Sequence, residues 1–75
     1  MTVVILAFSS VRERVGWGRL EVPWEEGDTP LTLWERHLGG ERTGVAPAVG
    51  LAFTGWDRRV ADGDEVAFVP PVAGG

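Results

Sequence analysis

The chain opens on Val3-Val4-Ile5-Leu6-Ala7-Phe8, apolar at every position and rich in β-branched residues. That pattern predicts a central strand covered on each side. Ser10-Val11-Arg12-Glu13 follows with the S-x-x-E spacing of a capping box, which predicts a short helix over 11–15 stopped by Gly16. Arg19-Leu20-Glu21-Val22 alternates polar and apolar residues and reads as a half-buried strand ended by Pro23. Thr29 and Pro30 fit an N-cap and first helical position. Leu31, Trp34 and Leu38 then recur at i, i+3 and i+7 as an amphipathic stripe, and Gly39-Gly40 stops that helix. Residues 45–50, with Pro47, read as loop. Leu51-Ala52-Phe53 reads as a strand, Thr54-Gly55 as a turn, and Asp62-Gly63 as a second turn. Glu65-Val66-Ala67-Phe68-Val69 is the last strand, ended by Pro70-Pro71.

The order is strand, strand, helix, strand, strand, beginning with a hairpin. The first and last strands are the most apolar, which predicts that they pair at the centre of the sheet. A mixed four- or five-stranded sheet packed on one main helix is the economical α+β solution. Side chains alternate faces along a strand. Val3, Ile5 and Ala7 therefore share one face with Val66 and Phe68 on their strand, and Val4, Leu6 and Phe8 fall on the other. One helix covers one face only. The opposite face leaves an apolar patch that includes Leu6, Phe8 and Val69. Such a patch marks a partner surface, unless loops cover it.

Composition narrows the function classes. At 75 residues the chain forms one domain, and a domain of this size buries only about 60% of its unfolded surface. That leaves little room for a deep internal active site. Apolar content of 44% and charged content of 24% are ordinary for a folded domain. The net charge is -4, and no basic run exceeds Arg58-Arg59. This disfavours a nucleic-acid partner and suits a basic protein surface. All seven cationic side chains are arginine. There is no cysteine, which excludes disulfides, thiolate metal sites and a cysteine nucleophile. The apolar run at the start is too short to span a membrane and lacks the charged start and cleavage site of a signal peptide. A cytoplasmic location is expected.

The ending Pro70-Pro71-Val72-Ala73-Gly74-Gly75 carries the chemistry. Prolines lack the N–H needed to extend a ladder and favour an extended chain. The division expected is a domain over 1–69 and a flexible, projecting tail over 70–75. Four residues beyond Pro71 reach about 13 Å. Two terminal glycines can thread a channel too narrow for a Cβ, and they leave the carboxylate open to activation from all sides. A Gly-Gly end alone is as readily a disordered stub. Its Pro-Pro-x-x-Gly-Gly form, after this strand order, is far more specific.

Three segments bear a family resemblance: residues 6–16, with Val11-Arg12-Glu13; residues 29–38; and residues 62–75, from Asp62-Gly63-Asp64-Glu65 to Gly74-Gly75. The chain resembles the small, sulfur-carrying subunit of molybdopterin synthase, a ubiquitin-like β-grasp family. The resemblance implies that an E1-like adenylating enzyme uses ATP to activate the Gly75 carboxylate, with Gly74 beside it. Sulfur transfer then gives a thiocarboxylate, and the tail enters the large synthase subunit to donate sulfur to a pyranopterin precursor. It implies catalytic side chains on the partners, no cofactor or metal bound by this chain, and partner contacts at Phe8, Phe53, Val69, Pro70, Pro71, Val72 and Ala73. Where the family often has an Asn-Gly-like turn, this chain has Phe53-Thr54-Gly55, and segment 55–60 has no firm counterpart.

Other signals carry less. His37 stands alone and is expected on the exposed side of the helix. Asp62, Asp64 and Glu65 fit a turn better than a cation site, since no EF-hand spacing follows. Gly16-Trp17-Gly18 has no G-x-x-G continuation and is not a nucleotide loop. Trp34 is expected in the core, with the other tryptophans at its edge or on partners. The competing functions are a related β-grasp carrier for thiamin or tRNA thiolation, a ubiquitin-like protein modifier, and an interaction domain whose tail is incidental.

Overall fold

The computed structural model describes residues 1–70. Five strands form one mixed sheet: β1 (Thr2–Ala7), β2 (Arg19–Pro23), β3 (Ala46–Val49), β4 (Ala52–Phe53) and β5 (Glu65–Val69), in the order β2-β1-β5-β3-β4. β1 and β5 pair in parallel, and the other pairs are antiparallel. The most apolar strands thus lie together at the centre, as the sequence predicts. The main helix, α2 (Pro30–Leu33), continues directly into a π-helical turn, Trp34–Leu38. A short helix, α1 (Ser9–Val15), follows β1. This is the sheet-on-helix arrangement of the ubiquitin-like β-grasp fold.

The alternation along the strands decides where the core sits. Val3, Ile5, Ala7, Val66 and Phe68 are buried, and they meet Val11, Leu33, Trp34 and Val60 on the helical side. Trp34, Trp56 and Phe68 form an aromatic trio. Trp34 meets the other two edge-on at 5.8 and 5.2 Å, while Trp56 stacks on Phe68 at 5.7 Å. Such pairs each add about 0.5–1.5 kcal/mol beyond the area they bury. The Trp34 indole N–H donates to the Gly40 carbonyl at 3.1 Å, so its polar edge is satisfied inside the core.

Thr29 caps α2 as expected. Its side chain accepts from the Thr32 N–H, and the Thr32 hydroxyl accepts from the Thr29 N–H. Gly16 ends α1 at φ 84°, a left-handed conformation that glycine takes without a Cβ clash. Asp62-Gly63 forms its turn. The Asp62 carboxylate accepts the Thr2 N–H, and the Asp64 carboxylate accepts the Ala61 N–H.

Several expectations are corrected. Segment 45–50 is not a loop, because Ala46–Val49 is β3. Pro47 fits because its carbonyl accepts from the Thr54 N–H. Its missing N–H therefore points to the end of the two-residue β4, not into the β3–β5 ladder. Leu51 is not in a strand. It shares with Gly50 the tight link between Val49 and Ala52. The turn placed at Thr54-Gly55 falls instead at Trp56-Asp57. No capping box forms at Ser10-Glu13. α1 begins at Ser9, and the Val11 and Arg12 N–H groups donate to the Phe8 carbonyl. The helical stripe also shifts. Pro30, Leu33 and Trp34 are buried, whereas Leu31 and Leu38 are half-buried. The Gly39 N–H reaches the Trp34 carbonyl, an i→i+5 bond that widens the turn and breaks the 3.6-residue period.

Candidate functional site

The register places the second face of the sheet residue by residue. Val4 lies beside Glu21 and Glu65, and Leu6 beside Arg19 and Ala67. Ala67 then faces Ala48, and Ala48 faces Phe53. Ala46 faces Val69. Phe8 has extended backbone (φ -120°, ψ 151°) and its N–H donates to the Phe68 carbonyl, so it continues the alternation of Leu6 beside Val69. The result is a shallow apolar surface running from Leu6 on β1 and Phe8 just beyond it, across Val69 and Ala67, to Ala46 and Phe53, with Ala48 buried beside Phe53. Phe8 is 45% exposed and Phe53 67%. Arg19, Glu21 and Glu65 supply charge at its margin. Among the described residues no cavity opens, and no helix is long and apolar enough to cross a membrane.

Phe8, Phe53 and Val69, the partner contacts expected inside the domain, are therefore brought onto one face. Pro70 follows β5 and is half-buried. The remaining expected site residues, Pro71, Val72, Ala73, Gly74 and Gly75, lie outside the described residues. β5 runs from Glu65 to Val69, so the chain leaves the sheet at the Phe8 end of the apolar surface.

The electrostatics are concentrated elsewhere, beneath the start of α2. Asp28 is 2% exposed. Its carboxylate accepts from the Glu25 N–H at 3.0 Å, the Thr32 hydroxyl at 2.9 Å and the Arg36 guanidinium at 2.9 and 3.4 Å. Burial alone would raise its pKa. The hydrogen bonds from Arg36, Glu25 and Thr32, together with the Arg36 charge, outweigh burial and hold it below the ordinary value. This knot ties the loop before α2 to the helix, and the Asp28 carbonyl accepts the Val60 N–H at 2.9 Å. It is a scaffold feature, away from the apolar surface.

His37 does not lie on the exposed side as expected. It is half-buried, and its Nε2 is shut from water without a hydrogen-bond partner. Burial, then the neighbouring Arg36 charge, lowers its pKa, while Asp28 and Glu25 oppose that shift without cancelling it. Sequence reasoning missed the Asp28 knot, whose members, Glu25, Asp28, Thr32 and Arg36, are spread over residues 25–36. It also missed Ala46 and Ala48, which were assigned to a loop. Segment 55–60 proves to be structural: Trp56 is half-buried and stacks on Phe68 at the edge of the core, and the Trp24 indole N–H donates to the Val60 carbonyl at 2.8 Å.

Comparison with known proteins follows the same outline. The family model described as ThiS family matches residues 5–75. The molybdopterin synthase sulfur carrier subunit of Escherichia coli K12 is 35% identical over 83 aligned positions, covering 97% of this chain and 99% of that protein. A structure described as molybdopterin converting factor, subunit 1, from Pyrococcus furiosus superposes with a TM-score of 0.76 at 27% identity, covering 96% of this chain and 99% of the other. The small archaeal modifier protein SAMP1 of Haloferax volcanii also superposes with a TM-score of 0.76, over 100% of both chains. At 20% identity that likeness is one of fold.

Proposed function

The chain belongs to the ThiS family, and from that premise we propose that it is the sulfur-carrying small subunit of a molybdopterin synthase. The observation that carries this reading is 35% identity, over nearly the whole of both chains, with a molybdopterin synthase sulfur carrier subunit. The apolar sheet face, continuous with the strand that leads into the tail, supports it as a dock for the large synthase subunit.

The chemistry proposed for the tail is acyl transfer. An adenylating E1-like enzyme binds ATP, and a carboxylate oxygen of Gly75 attacks the α-phosphate, forming an acyl-adenylate and releasing pyrophosphate. A sulfur donor displaces AMP and leaves a thiocarboxylate. The tail then enters the large subunit, where the terminal sulfur attacks the pyranopterin precursor, and water cleaves the resulting thioester, leaving sulfur on the pterin and returning the Gly75 carboxylate. Repetition supplies the two sulfurs of the dithiolene. In this scheme the chain carries no catalytic side chain of its own. Gly74 and Gly75 supply a Cβ-free, sterically open end, and the domain aims it. All of these steps are cytoplasmic in this reading.

The test is reconstitution. The intact mass of the chain taken from cells should show one terminal oxygen replaced by sulfur. This form, mixed with the large subunit and the precursor, should yield molybdopterin, and deletion of Gly75 should abolish the yield. A thiocarboxylate that forms no molybdopterin would move the chain to another carrier pathway, such as thiamin or tRNA thiolation. Recovery of Gly75 in isopeptide linkage to lysines would instead mark a protein modifier.

A further inference from the structure

Among the described residues, two that are not glycine have positive φ: Ser9 at 51° and Leu51 at 71°. Both lie beside the exposed phenylalanines of the sheet face. Ser9 directly follows Phe8, and Leu51 is two residues before Phe53. Left-handed backbone outside glycine is sparsely populated and clusters at active sites, ligand clamps and switch regions. Ser9 has a local explanation, because the bend there turns β1 into α1. At Leu51 the tight hairpin explains the backbone conformation but not the choice of leucine.

Leu51 forms a two-residue hairpin link with Gly50, whose φ is 58°. A link with both φ values positive favours asparagine, aspartate or glycine. Leucine gains nothing there from the fold, since it is 93% exposed. Neither turn chemistry nor burial accounts for a large apolar side chain at this position. A partner does. The hairpin is continuous with the apolar face through Phe53, which sits in register with Ala48 and through it with Ala67.

We propose that Leu51 is a contact residue for the large synthase subunit, extending the docking face around its β4 rim into an apolar recess of that partner. This rests on reading the chain as the small subunit. The placement also says what kind of contact it is. The link adjoins Glu65, whose carbonyl accepts the Gly50 N–H, so it lies at the end of β5 remote from Val69 and the tail. The four residue steps from Glu65 to Val69 put the two ends about 13 Å apart. Leu51 therefore adds affinity and partner choice without touching the reacting terminus.

The variant Leu51→Asn suits the test, because asparagine tolerates the left-handed conformation. The full-length thiocarboxylated chain is titrated against the large subunit by calorimetry, and single-turnover molybdopterin formation is followed over a range of carrier concentrations. Leu51→Asn should raise Kd and the half-saturating concentration roughly tenfold, the scale of a contact residue at the edge of a hot spot. The effect should fall on those quantities rather than on the saturating rate, and the free chain should melt no lower than the parent. A Kd within twofold of the parent overturns the inference, as does a loss confined to the saturating rate. If Phe53→Ser weakens binding while Leu51→Asn does not, the Leu51 inference alone fails. If the parent chain does not bind the large subunit, the small-subunit reading fails and the inference falls with it.

Discussion

Asp28→Asn isolates the charge of the buried knot beneath α2. In the parent, Oδ1 receives the Thr32 hydroxyl and Arg36 Nη2, while Oδ2 receives the Glu25 N–H and Arg36 Nη1. Asparagine keeps the shape but turns one of these acceptors into a donor. The less costly choice keeps an oxygen toward the Glu25 N–H, since the Thr32 hydroxyl can turn to the Thr29 carbonyl at 3.0 Å. Arg36 then loses its buried counter-charge and keeps only the exposed Glu25 carboxylate at 3.6 Å. Breaking a fully buried pair costs about 3–5 kcal/mol. The Arg36 side chain is 38% exposed and can turn to water, so that figure is an upper bound here. One charge-assisted hydrogen bond is worth about 1.5–3 kcal/mol, so a loss of about 2 kcal/mol at pH 7 is expected. For a domain of this size that lowers Tm by about 8–16 °C.

The pH dependence makes the reasoning refutable. A carboxyl whose folded pKa lies below its ordinary 3.8 stabilises the fold above that value. The stabilisation is lost as pH falls through the folded pKa, where the parent's Asp28 becomes neutral and resembles asparagine. Urea unfolding of both chains, followed by tryptophan fluorescence from pH 7 to pH 2, should show a gap of about 2 kcal/mol that closes below pH 3.8. Every other titrating group is common to both chains and cancels in the difference. A gap that stays constant to pH 2, or no gap at pH 7, would refute the assignment.

His37→Leu should flatten the pH dependence just below pH 6.5: the folded pKa of His37 lies below that ordinary value, so the parent loses stability as pH falls from 6.5 and the variant does not. Urea midpoints at pH 8, 6.5 and 5 measure it. Trp34→Phe removes the indole N–H bond to Gly40 and part of a ring that is 1% exposed, and should cost about 2–3 kcal/mol by urea unfolding. Phe8→Ser and Phe53→Ser should each weaken binding to the large synthase subunit about tenfold or more by calorimetry, without lowering Tm, because both rings are exposed in the free chain.

What could be seen in the sequence was what short periods encode. The alternation in Val3-Val4-Ile5-Leu6-Ala7 and Glu65-Val66-Ala67-Phe68-Val69 separated the buried face from the open one, and the structure keeps the two sets apart. Thr29-Pro30 marked its helix start because capping is local chemistry. The failures came where the deciding contact was remote. Pro47 suggested a loop, since only the position of β4 shows that its missing N–H faces a ladder end. His37 looked solvent-facing because a 3.6-residue wheel cannot anticipate the wide turn closed by Gly39.

The site divides along the same line. Phe8 and Val69 were legible because each sits on or beside a strand whose period was clear, and Phe53 because the family resemblance singled it out. Leu51 was not, since in sequence it is one more apolar residue before Ala52-Phe53. Its significance lies in the conjunction of φ 71° with 93% exposure, and neither quantity is a property of sequence. A leucine that is strained and unburied in the free chain destabilises it slightly, and such a cost persists where a bound state uses the side chain. Phe8, Leu51 and Phe53 are the exposed large apolar side chains that the proposed docking surface would cover.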